Sequence, residues 1–125
     1  MEDSYFSIKE PAFGEYKEKG SKFLAYAFPV SNEEEIMLQL STLKSQHPKA
    51  RHFCYAYRLG INGLQYRIND DGEPSGTAGK PIYGQILSHE FSGVFVVVVR
   101  YFGGTKLGAS GLIQAYKQAA AEALD

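Results

Sequence analysis

Apolar and polar positions along the chain change period several times, and each change marks an element. Residues 22–30 (KFLAYAFPV) mix apolar and β-prone side chains and predict a strand, with residues 15–19 as its antiparallel partner across Gly20-Ser21. Ser31 and Glu34 stand at capping-box spacing. Ile36, Leu40 and Leu43 then recur at i, i+4 and i+7 until His47-Pro48 breaks the pattern, which predicts a first helix. Residues 52–59 and 64–69 carry alternating aromatic and apolar side chains on either side of Gly-Ile-Asn-Gly at 60–63, the composition of a hairpin turn. Pro81 suits the first turn of a short helix bearing Ile82 and Ile86. Residues 94–99 (VFVVVV) are a continuous β-branched run around Phe95, as expected of a central strand covered on both faces. Leu112, Tyr116, Ala119 and Ala123 share one face of a last helix, which is expected to pack on the sheet. No Gly, Asn or Pro stop follows it before Asp125, so the natural chain is expected to continue. Residues 1–14 are expected to be loosely ordered and 15–125 to form one domain.

Two stretches resist any periodicity because glycine dominates them. Residues 70–80 read Asp-Asp-Gly-Glu-Pro-Ser-Gly-Thr-Ala-Gly-Lys, and such glycine density costs conformational entropy unless the backbone must approach something closely. Ser75, Thr77 and the amides before the short helix would face the positive end of that helix dipole, with Lys80 adding a full charge. Residues 100–111 repeat the arrangement: Arg100 and Tyr101 leave a buried strand, Gly103, Gly104 and Gly108 punctuate the loop around Lys106, and a helix begins. The reading is a strand–loop–helix anion cradle, against the simpler one of tight turns and close helix-to-sheet packing. The second stretch is neither a Walker A sequence nor a GxGxxG dinucleotide fingerprint.

Charge narrows what such a cradle would hold. The chain has 13 Lys and Arg against 14 Asp and Glu, a net charge of −1, so attraction to phosphate must be local. Asp70, Asp71 and Glu73 oppose Lys80, Arg100 and Lys106 one for one. A carboxylate about 4 Å from a phosphate costs about 4 kcal/mol at an effective dielectric of 20. The acids must therefore point away or chelate a divalent cation. Their oxygens would suit Mg²⁺, although carboxylates in such loops are also ordinary turn residues; no cofactor is expected. Three scattered histidines and the single Cys54 exclude an internal disulfide and offer no zinc-ligand spacing. His52 and Cys54 share a strand face without a third group to complete a catalytic set, and no catalytic residue is assigned. Arg51, Arg58 and Arg67 interleave with Tyr55, Tyr57 and Tyr66, as in a stacking surface for single-stranded nucleic acid or in any half-exposed sheet. No apolar stretch reaches the roughly 20 residues of a membrane span, and the acidic start does not resemble a secretory signal, so a cytoplasmic location without membrane partners is expected.

Residues 70–79 and 100–108 resemble the two signature blocks of the YigZ/Impact family, and Arg-His-Phe-Cys-Tyr-Ala at 51–56 resembles a third. With residues 111–116, the resemblance covers roughly residues 15–124. It implies an α/β fold of two-layer α+β type, with a mixed sheet and helices on one face. The implied left-handed βαβ arrangement is shared with the second domain of a small-subunit ribosomal protein, elongation-factor domains and small-metabolite kinases. Bacterial members resemble this domain followed by a ferredoxin-like domain that is absent here. Eukaryotic relatives regulate translation by binding the activator of a starvation-sensing kinase, and carry an N-terminal partner-binding domain that this sequence lacks, so a bacterial-type member is expected. The expected function is non-enzymatic binding of RNA or a translation-associated protein, in translation regulation. Its candidate residues are Arg51, His52, Asp71 and Glu73 together with those named in the two glycine-rich stretches. The alternative is an enzyme or binding protein for a phosphorylated small molecule.

Overall fold

Lys19 and Gly20 both take positive φ, 47° and 86°. This is the geometry of a two-residue hairpin turn whose twist matches its strands. It joins β1 (Ala12–Glu18) to β2 (Ser21–Pro29) in the computed structural model, which describes residues 5–125. Of the first 14 residues, 1–4 lie outside the described residues. Beyond them, the Phe6 carbonyl accepts from the Ser92 amide at 2.8 Å, the Ser7 hydroxyl donates to the Gly93 carbonyl at 3.2 Å, and β1 begins at Ala12.

The first helix, α1 (Glu33–Gln46), is capped one residue later than the Ser31 spacing suggests. Asn32 Oδ1 accepts from the Glu35 amide at 2.9 Å, while Glu35 Oε1 accepts from the Ser31 amide at 2.7 Å. Asn32 and Glu35 have the same spacing as Ser31 and Glu34, so the pattern alone does not choose between them. The chain continues through β3 (His52–Leu59), β4 (Gln65–Asn69), α2 (Gly79–Ser88), β5 (Val94–Tyr101) and α3 (Gly108–Leu124).

The sheet order is β1-β2-β5-β3-β4, with β5 in the centre as its apolar run predicts. The α+β class stands, with two differences of detail. Every hydrogen-bonded neighbour is antiparallel, so the sheet is not mixed. Both helical crossovers, β2-α1-β3 and β4-α2-β5, skip one strand, so the parallel partners never touch. Helices also cover both faces. Phe23, Ala25, Ala27, Cys54, Ala56 and alternate valines of β5 pack under α2 and α3. Phe53, Tyr55, Tyr57, Phe95, Val97 and Val99 pack with Ile36, Leu40 and Leu43 of α1 on the other side. A strand that reads as apolar at every position needs cover on both sides, which one layer of helices does not supply.

Small residues set how closely the layers approach. A Cβ on Gly14 of β1 would lie 2.4 Å from the Ala123 amide nitrogen of α3, and one on Gly79 would lie 2.9 Å from the Asn69 nitrogen. Among the described residues, no helix is long and apolar enough to cross a membrane.

Candidate functional site

Register brings the site together at one end of the sheet. Arg100 of β5 stands opposite Phe23 on one side and His52 on the other, all on the face covered by α2 and α3. The Arg51 amide donates to the Arg100 carbonyl at 2.9 Å, which places Arg51 at the same edge. The loop after β5 then turns back against the β1–β2 hairpin. A Cβ on Gly103 would sit 2.0 Å from the Gly20 carbonyl carbon, so only glycine lets these backbones touch.

The two glycine-rich stretches meet through a buried ion pair. Arg100, 5% exposed, bonds Glu73 Oε2 through one terminal nitrogen at 2.7 Å. Its other terminal nitrogen lies 3.3 Å from Ser21 Oγ, which also accepts from the Gly103 amide at 3.1 Å. Tyr116 of α3 donates to the same Glu73 oxygen at 2.5 Å. Burial, followed by the neighbouring Cys54 and Glu73, pushes the Tyr116 hydroxyl up and keeps it a donor. His52 completes the cluster. Its Nδ1 lies 2.8 Å from the Asp71 carbonyl, an acceptor that fixes the proton on that nitrogen, and its Nε2 is 3.6 Å from Glu73 Oε1. Arg100 Nε has no partner among the described residues.

Around this cluster lies a cleft of about 470 Å³, inside the roughly 300–1,000 Å³ range of small-ligand pockets. Arg51, His52, Glu73 and Pro74 line it together with Arg100, Phe102, Lys106 and the start of α3. The Arg51, Arg100 and Lys106 side chains against the Glu73 carboxylate leave a formal local charge of +2, His52 not counted. The α3 amino end adds to it, since neither a side-chain cap nor an acidic first-turn residue neutralises its amides. A larger cavity of about 740 Å³ lies elsewhere, around Phe6, Arg58, Leu87 and Glu90. It contains none of the candidate binding residues, and its one cation, Arg58, is opposed by the Glu90 carboxylate.

The first glycine-rich stretch is built differently from the cradle its composition suggests. Asp70 Oδ1 accepts from the amides of Ala78 and Gly79 at 3.1 and 2.8 Å, and Oδ2 from Gly76 at 3.0 Å. The Thr77 amide and hydroxyl both bond the Pro74 carbonyl, and Thr77 is buried. An internal carboxylate thus already occupies the amino end of α2. Ser75, Thr77 and Lys80 lie outside the cleft. Asp71, at φ 42°, turns its carboxylate to the Phe53 amide at 2.7 Å. Both aspartates therefore point away from the cleft, and no three His, Cys, Asp or Glu side chains converge among the described residues.

Of the second stretch, Lys106 and Gly108 line the cleft, while Gly103 and Gly104 shape the loop, Gly104 at φ 91°. Tyr101 faces the other way, 2.6 Å from His47 Nδ1 beneath α1, because strand side chains alternate. Phe102 instead occupies the cleft wall, a position that strand alternation would have indicated once Arg100 was placed. Leu107, Ala109 and Leu112 also line it, and carry no chemical signal in the sequence. The interleaved Arg and Tyr of β3 and β4 form no common surface, since Tyr55 and Tyr57 are buried toward α1 and Arg58 lies on the opposite face.

Residues 19–124 match the family described as the Impact N-terminal domain. The chain is 42% identical over 125 residues to the Bacillus subtilis protein called IMPACT family member YvyE, spanning 100% of this chain and 58% of that relative. A crystal structure of a hypothetical protein superposes with a TM-score of 0.93 at 32% identity, covering 99% of this chain and 61% of the other. The structure of the two-domain translational regulator Yih1 superposes with a TM-score of 0.57 at 27% identity, covering 96% of this chain and 48% of that one. The chain thus spans about half to three-fifths of these proteins, and on the strength of its matched sequence it belongs to the Impact N-terminal domain family.

Proposed function

We propose that this domain is a non-catalytic binding module of translation regulation that engages RNA through phosphates held in the cleft beside α3. The observation that carries the reading is the local charge of +2 at an uncapped helix amino end in a chain whose net charge is −1. Attraction concentrated in one place favours phosphate there and leaves the rest of the surface indifferent. The likeness to a translational regulator supports the biological setting.

Arg100 is a poor probe of this reading, because its guanidinium is committed to Glu73 and Ser21. Arg51 and Lys106 are exposed and suit the test. Binding of a stem-loop RNA with single-stranded tails is followed by fluorescence anisotropy across a salt series. Arg51→Ala and Lys106→Ala are each expected to weaken binding and to flatten the log–log salt slope by about 0.7–0.9. Unchanged affinity and slope in both variants would remove RNA as the ligand of this cleft.

A further inference from the structure

We propose that Phe102 is a stacking platform that makes the cleft select an unpaired nucleotide over a duplex, an inference that rests on the RNA reading above. Phe102 is 38% exposed and belongs to neither apolar cluster of the core. Its ring is held by cations instead: the guanidinium carbons of Arg51 and Arg100 lie 5.0 and 5.6 Å from its centroid. Arg100 is itself locked beneath by Glu73 and Ser21, so one neighbour of the ring is rigid while the other, Arg51, is exposed and free to move.

The guanidiniums lie over the ring, and the exposed Arg51 can swing aside or stack on a base in its turn, which gives a base in this cation-lined cleft an aromatic face to occupy. Lys106 and the amides at the start of α3 border the same cleft and would take the phosphate of that nucleotide. The volume of about 470 Å³ is of the size that takes one nucleotide. Bases inside a duplex are stacked on one another and present no free face, so only single-stranded segments, loops or ends gain from the ring.

The test compares a single-stranded RNA 12-mer with a duplex of the same sequence, binding to the unaltered protein, Phe102→Leu and Phe102→Trp. The unaltered protein and Phe102→Trp are expected to prefer the single strand. Phe102→Leu should lose roughly 5- to 150-fold on the single strand while duplex affinity and the salt slope stay unchanged, since no charge is removed. Circular dichroism of the three proteins verifies folding. Equal single-strand binding by Phe102→Leu, or equal losses on both RNAs, overturns the stacking role and leaves the phosphate contacts standing. Absence of RNA binding by the unaltered protein overturns both the stacking role and the RNA reading.

Discussion

Glu73 shows how one side chain can carry a chemical role different from the one its sequence neighbourhood suggests. In the sequence it stands beside Asp70 and Asp71 as one of three loop acids; in the structure it alone enters the cleft, where Arg100, Tyr116 and His52 surround it. With Glu73 and Arg100 both buried, removing either leaves the other charge without compensation, and such losses typically cost about 3–5 kcal/mol. Urea unfolding of Glu73→Ala and Arg100→Ala should each report a loss of that order, and the double replacement should lose less than their sum. Additive losses would mean that the two residues act independently. Aspartates 70 and 71 read equally well as ligands, repellents or caps until the amides they reach are known. Those amides lie six to nine residues ahead for Asp70, and on β3 for Asp71.

At the scale of elements, local pattern was sufficient wherever burial follows a period. The α1 stripe, the β3–β4 hairpin and the apolar β5 run appear where their sequence places them, whereas the first turn falls one residue early, at Lys19-Gly20 rather than Gly20-Ser21, with Ser21 already paired to Glu18. Pattern gave no access to where helices settle, because a stripe of leucines states that a face is buried without stating against which side of the sheet. Gly14 illustrates the same limit, since nothing around it in sequence marks it as the point where α3 crosses β1. Gly14→Ala would push a Cβ to 2.4 Å from the α3 backbone, and such overpacking costs about 1–3 kcal/mol. A lowered urea midpoint with an unchanged slope would report this, whereas a midpoint equal to that of the parent protein would show that α3 yields easily.

For the whole molecule, several acidic groups are held neutral by the fold, which ties its stability to alkaline pH. Burial first, then the Glu33 carboxylate that its hydroxyl bonds, pushes Tyr57 from 10.0 up to about 12, and burial likewise raises Cys54 and Tyr116. The unfolded chain ionises these groups before the folded one does. Their contribution is complete at about pH 8, a unit below the point where unfolded cysteine is half ionised, and is lost progressively as pH rises through 9 to 12. Denaturant midpoints measured at pH 8 and pH 10.5 should therefore fall, and an unchanged midpoint would mean that these groups ionise as readily in the fold as outside it. Period and turn chemistry were enough to mark the helices, the strands, the central strand and the two glycine-rich stretches, because each depends on neighbours a few residues apart, while the α+β class followed from the resemblance of the signature blocks to a known family. Which of those stretches keeps open amides, which acid enters the cleft and which aromatic lines it emerged only from packing. Those outcomes depend on strand register and on contacts between residues tens of positions apart, such as Arg100 with Glu73 and Gly103 with Gly20.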